Sequence, residues 1–323
     1  MFDILKGIDM QNRFLKRDKA SALLNVKTWF RAVLILAPVA AILRTIALYT
    51  SFESEIGYFN DSFFSTLVNW LTIIVPAFIL CGFIFISKDA DLPKKTPNNA
   101  NSIFFSATFA GFILLADFAY KLVTLIGEGK LSYYKMVFSS SFRAENAYML
   151  RVTSIIEIIG IASSLLAAAC FFVRSAKDPK AKISAWLGFF PIIRALVGIA
   201  NIYFDMTVQM NHPSKLIIQF ALISVMFYFL CEEREYVSDE HARPRRTFIA
   251  GLLAYFMAYV AGFSEIVGFF AGILSEGALF IEAFFCFVLS FYILARINSF
   301  TGNSSAKPVE VVSETTSEEK IDE

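Results

Sequence analysis

The sequence predicts an all-α integral membrane protein that crosses the bilayer about eight times, with both ends on the cytoplasmic side. Three observations carry that expectation. Of the 323 residues, 57% are hydrophobic and 18% charged, against about 45–50% and about 25% in a soluble domain. The apolar residues gather in runs of about 20, the length that spans hydrocarbon as a helix. Lys and Arg concentrate in alternate connections between those runs, as cytoplasmic loops require.

The first run extends from about Trp29 to Thr50, the second from Phe63 to Ile86 and the third from Ile103 to Ile126. The fourth covers Val152 to Val173 and the fifth Ile183 to Phe204. The sixth, Leu216 to Cys231, is short but free of charge. The stretch from Thr247 to Ile297 is too long for one helix. It divides near Ser275-Glu276-Gly277 into spans over about 247–270 and 278–297, although a re-entrant segment over Val267–Leu274 also fits.

The loops set the orientation. Basic residues crowd the N-terminal segment, the 87–102 loop (Lys88, Lys94, Lys95), the 174–182 loop (Arg174, Lys177, Lys180, Lys182) and the 232–246 loop (Arg234, Arg243, Arg245, Arg246). The connections 51–62 and 271–277 have none, and 205–215 has only Lys215. One connection departs from the pattern: 127–151 carries Lys130, Lys135, Arg143 and Arg151, in a loop long enough to tolerate them.

Three regions follow. Residues 1–27 form a basic N-terminal segment whose Phe2, Leu5, Ile8 and Leu15 alternate with Lys6, Arg13, Lys16 and Arg17. That pattern suits a helix on an anionic leaflet, or an ordinary basic lead-in to the first span. Residues 28–298 form the polytopic domain, and 299–323 an acidic cytoplasmic tail whose composition predicts disorder.

The polytopic domain also carries signs of an internal duplication into two parallel four-helix halves, 28–174 and 183–298. Ile42-Leu43-Arg44 corresponds to Ile192-Ile193-Arg194, each with a Pro and a Trp upstream, and the separation from Arg44 to Cys81 equals that from Arg194 to Cys231. The same correspondence sets Asp117 opposite Glu265.

Ionisable residues inside spans are costly and mark candidate sites. They are Arg44, Asp117, Lys121, Glu157, Arg194 and Glu282, with Asp205 and Glu265 near the outer ends. Arg194 falls near the midplane; Arg44 and Asp117 sit roughly 4–5 Å further out, and Lys121, Glu157 and Glu282 about 8–10 Å, at the helical rise. The outer half of the membrane region is thus expected to be polar and the inner half nearly pure hydrocarbon. Two readings stay open. The charges pair with one another and fix helix order, or the two arginines clamp a carboxylate or phosphate group.

Cys81, Cys170, Cys231 and Cys286 lie in apolar runs without metal or redox spacing, so they read as packing fillers. His212 and His241 read as loop residues, and Glu232-Glu233 as the start of a solvated mixed-charge loop. No Gly-rich phosphate loop, paired-His motif or Gly-flanked nucleophilic Ser occurs in the sequence. An enzyme, a metal site, a cofactor and a nucleic-acid partner are therefore not expected.

The stretch Leu43-Arg44-Thr45-Ile46-Ala47-Leu48-Tyr49-Thr50-Ser51-Phe52-Glu53-Ser54-Glu55-Ile56-Gly57-Tyr58-Phe59 resembles a pattern in uncharacterised multi-pass membrane proteins of Firmicutes. The resemblance implies a bacterial plasma membrane and a turn capping the first hairpin, and no activity. The leading functional expectation is a small-solute transporter or permease component with a polar cleft in the outer half, taking a small anionic solute. The alternative is a non-enzymatic sensor or accessory subunit that engages a protein partner through its cytoplasmic loops.

Overall fold

The computed structural model describes residues 2–53, 57–85, 101–127, 129–144, 146–176, 181–204, 212–237, 243–274 and 277–302, with the backbone alone over 2–25, 83–85, 181–182, 184, 235–236, 278 and 302. The chain is an all-α multi-pass membrane protein: eight of its described helices are long and apolar enough to span a bilayer. "Inner" and "outer" below denote the faces expected from the basic loops. An even number of crossings puts both ends of the polytopic domain on one face.

Helix α1 (Phe2–Ser51) carries the first span at its C-terminal end. Its 50 residues form one continuous helix, so the N-terminal segment is helical without a break before the span. The side chains of the expected interfacial stripe lie outside the described residues. Two short strands, β1 (Phe52–Glu53) and β2 (Tyr58–Phe59), pair antiparallel on the outer face and turn the chain into α2 (Phe63–Phe85). Pro38 and Pro76 sit inside α1 and α2. Spanning helices accept such residues because neighbouring helices re-satisfy the freed backbone groups. The third span is α3 (Asn101–Gly127).

The long 127–151 connection contains a short helix, α4 (Lys130–Val137), that rests on Tyr134 and Val137. Its surplus of base is partly consumed locally. Lys130 Nζ reaches Glu157 at 2.8 Å, and Arg151 Nε donates to the Val137 carbonyl at the end of α4 at 3.0 Å. A cation at a helix C-terminus is favourable there.

The fourth span is α5 (Ala147–Ser175). The fifth is broken at Gly188 into α6 (Ala181–Leu187) and α7 (Phe189–Phe204). The sixth, α8 (Pro213–Val237), extends well past the expected Leu216–Cys231 at both ends. The last two are α9 (Pro244–Phe270) and α10 (Gly277–Gly302), two separate helices joined by a tight turn. Gly272 takes the left-handed backbone conformation of that turn at φ +74°. Val267–Phe270 finish α9 rather than forming a re-entrant segment. Ser299–Thr301 continue α10, so the tail begins later than expected; residues 303–323, with Asp205, Glu276 and His241, lie outside the described residues.

Helix α9 is the hub of the fold. It packs against α1, α2, α8 and α10, and 83% of its apolar window is buried, against 17% for α3. Gly262 admits the closest of these approaches: an added Cβ there would lie 2.6–2.7 Å from Phe287 Cβ, Cα and N on α10. Small residues at such positions let transmembrane backbones meet without a hydrophobic drive between them. Elsewhere α1 and α2 are joined by the Trp29–Phe78 stack, with ring centroids 4.2 Å apart.

Within each expected half the consecutive spans pack as hairpins, α1 on α2 and α3 on α5, then α7 on α8 and α9 on α10. The two halves differ at the centre, where α9 is enclosed and α3 lies at the periphery. Side chains Phe105, Phe109, Phe112 and Val123 of α3 are exposed, as a lipid-facing helix requires.

Candidate functional site

Five of the six candidate residues fall into two compact ion-pair networks in the outer half. In the first, Arg44 on α1 reaches across to the hub. Its Nη2 meets Glu265 at 2.7 Å, and its Nε donates to Ser264 at 3.1 Å. All three residues are buried. Nη1 of Arg44 has no partner among the described residues, and the guanidinium lies 5.7 Å from the Phe59 ring centre in the outer hairpin.

In the second network, Arg194 on α7 is fully buried. Its Nε contacts Asp117 on α3 at 3.2 Å and its Nη1 contacts Glu282 on α10 at 3.0 Å. Lys121, one turn from Asp117, donates to it at 2.8 Å, and Ser164 on α5 does the same at 2.8 Å. Gly198 makes room for the Glu282 carboxylate, which an added Cβ would approach to 2.7 Å. The charges balance: two cations, two anions. Arg44 pairs with an acid from the second half and Arg194 with one from each, so the ion pairs cross between the proposed repeats.

Glu157 stands apart. It pairs with Lys130 at the outer surface, both side chains about one-third exposed, at 34% and 38%. An exposed pair of this kind contributes about 0–1 kcal/mol. Glu157→Gln should therefore leave the thermal midpoint within a few degrees of the parent protein in detergent. A large drop would mean that Glu157 belongs to a buried network after all.

Two sizeable cavities adjoin these networks, besides a pocket of about 10 Å³ at Glu265. The larger, about 880 Å³, lies between α2 and α8, with Arg44, Asn69, Thr72 and Ser224 as its main polar groups. Ile73, Leu80 and Phe220 of its rim are exposed on the lipid-facing surface. The outer hairpin supplies Tyr58 and Phe59 as a roof. That roof is braced by buried His212, packed edge-on to Phe52 at 5.5 Å and against Gly57, whose φ of +75° the turn requires. The crevice is mostly apolar, bordered by Tyr58 and Phe59 at its outer end and lined along α2 and α8 by side chains that face lipid. The smaller cavity, about 370 Å³, lies between α3 and α10 beside Asp117 and Arg194.

The inner half departs most from expectation. It is not pure hydrocarbon, and Glu232-Glu233 do not open a solvated loop; both are buried. Arg174 at the end of α5 meets Glu232 at 2.6 Å and Glu233 at 2.9 Å. Arg296 on α10 meets Glu232 at 2.8 Å, and the hydroxyls of Tyr292 and Tyr228 donate to the same carboxylate at 2.9 and 3.2 Å. Gly188, at the α6–α7 break, leaves space for this cluster, since an added Cβ would collide with the Glu233 carboxylate. Three inward-running helices are thereby stapled together at one level. Two signals in the sequence point to it: Tyr228–Glu232 and Tyr292–Arg296 each stand four apart on one helix face.

Comparison with family models, with curated proteins and with solved structures finds no match to the chain.

Proposed function

We propose that this membrane protein is a non-enzymatic transport component that takes an anionic amphiphile, headed by a carboxylate or phosphate, from the outer half of the bilayer into the α2–α8 crevice. The crevice between α2 and α8 carries the reading. It has the volume of a ligand pocket, about 300–1,000 Å³ in general, mostly apolar walls for a chain, and one arginine near its outer end. Guanidinium is the group best shaped for a carboxylate or phosphate. With Nε and Nη2 of Arg44 held by Ser264 and Glu265, Nη1 remains to meet the head group in a pre-oriented frame. A lipid-facing rim suits a ligand that partitions into the bilayer better than a freely soluble one. A bacterial plasma membrane is the setting that the sequence resemblance suggests.

A second reading keeps the binding and drops the passage. The buried Arg174–Glu232–Glu233–Arg296 cluster closes the inner end of the bundle, which favours a sensor or accessory subunit that registers the amphiphile without moving it.

The test is saturable binding of radiolabelled dodecyl phosphate to the protein in nanodiscs, followed by its passage into proteoliposomes. Arg44→Lys keeps the charge but loses the planar fork, and should weaken binding about tenfold. Ile73→Trp, on the crevice rim away from the ion pairs, should weaken it comparably. Saturable binding without passage selects the second reading, and absence of saturable binding ends both.

A further inference from the structure

The α3–α10 cavity carries a second, chemically different site. Every donor that reaches Asp117 converges on one of its two oxygens: Lys121, Ser164 and Arg194 all meet Oδ2. Oδ1 is buried with no hydrogen-bond partner among the described residues. Arg194 is the mirror case, since Nε and Nη1 are engaged and Nη2 is buried without an acceptor among the described residues. The Asp117 and Arg194 side chains are 8% and 0% exposed. Buried polar atoms are nearly always hydrogen-bonded, so an orphan donor and an orphan acceptor on adjacent residues require an explanation. Both residues line the same cavity, whose remaining walls are almost wholly apolar, with Ile113, Phe280, Ile281 and Phe284 prominent.

We infer that this cavity binds a single-chain amphiphile with a neutral hydroxyl head, such as a long-chain alcohol. Three features select that chemistry. A hydroxyl is both donor and acceptor, the two functions that Oδ1 and Nη2 leave unmet. The Asp117 carboxylate lines this cavity beside Arg194 and would repel an anionic head in a place of low dielectric, whereas the residues lining the α2–α8 crevice include Arg44 but no carboxylate. The cavity lies beside the peripheral helix α3, whose exposed side chains meet lipid, and about 370 Å³ suits a head and the first part of a chain. The site is independent of the α2–α8 crevice, which lies between other helices and is proposed for an anion.

The experiment is photolabelling of the full-length protein in nanodiscs with hexadecanol carrying a mid-chain diazirine, followed by peptide mapping. The same label on hexadecane and on hexadecyl phosphate provides the comparison. Hexadecanol should label α3 and α10 about tenfold more than hexadecane, the factor expected of one hydrogen bond to charged groups, and more than the phosphate. Unlabelled hexadecanol should compete it away. Ile281→Trp fills the cavity from α10 and should remove the labelling; Ala116→Phe fills it from α3 and serves if the first variant does not fold. Equal labelling by hexadecane, preference for the phosphate, labelling unchanged in the filled variants, or no labelling, which would leave only water at the orphan atoms, each overturns the assignment. Failure here leaves dodecyl phosphate binding at the crevice unaffected, so the two results separate.

Discussion

Glu232→Ala should lower the thermal midpoint of the detergent-solubilised protein by on the order of 10 °C, for a loss of about 3–5 kcal/mol. One carboxylate gathers Arg174, Arg296, Tyr228 and Tyr292. Removing it takes from Arg296 the carboxylate it meets at 2.8 Å, takes from Arg174 its 2.6 Å contact, and strips two phenolic hydroxyls of their shared acceptor. A buried charge deprived of its partner is far costlier than a pair never made. Glu232→Gln keeps the volume and part of the hydrogen bonding, and should fall between the two. A melt of Glu232→Ala within one or two degrees of the parent would show that the cluster contributes nothing to the packing of α5, α8 and α10.

Gly262→Val is expected to be the other severe change, and for a different reason. Its Cβ would meet the Phe287 backbone at 2.7 Å, and a backbone cannot rotate away as a side chain does. Helices α9 and α10 must separate, and over-packing of this kind costs about 1–3 kcal/mol or more. Gly251→Ala offers the contrast. There the nearest atoms are the Ile297 side-chain tip at 2.8 Å and the Tyr228 ring edge at 3.1 Å, so a rotamer change absorbs much of the strain. Thermal melts should rank Gly262→Val well below Gly251→Ala; the reverse order would rule out the close α9–α10 approach as a determinant of stability. Separation would also be felt at the site, because α9 holds Glu265 and α10 holds Glu282.

The spans were legible because hydrocarbon thickness imposes a length on apolar runs, and the runs met it. Even the division of 247–297 fell where Ser275-Glu276-Gly277 indicated, with α9 ending at Phe270 and α10 starting at Gly277. Partners were harder to read. Glu157 lies on an apolar run like the others, yet pairs outward with Lys130, because α4 brings that lysine back over the fifth helix in a connection that the sequence shows only as a loop. Glu232 and Glu233 follow an apolar run directly and look like the first solvated residues of a loop. What buries them is Arg174 and Arg296 arriving from two other helices, and hydropathy along one helix carries no record of that. The reciprocal crossing of Arg44 and Arg194 with acids of the opposite half was closer to the surface of the sequence, since the aligned positions were already matched in charge.

The enclosed position of α9 has a consequence for the way the chain is made. Helix α9 is the seventh span to emerge from the ribosome, so α1, α2 and α8, which pack on it, enter the bilayer before their common neighbour. Arg44 enters with the first of them, and Glu265 follows 221 residues later. At roughly 5–20 residues per second of synthesis, the cation spends on the order of 10–40 s in the membrane before its counter-ion exists. Three of the first six spans therefore wait for the seventh before their shared contact surface can be buried.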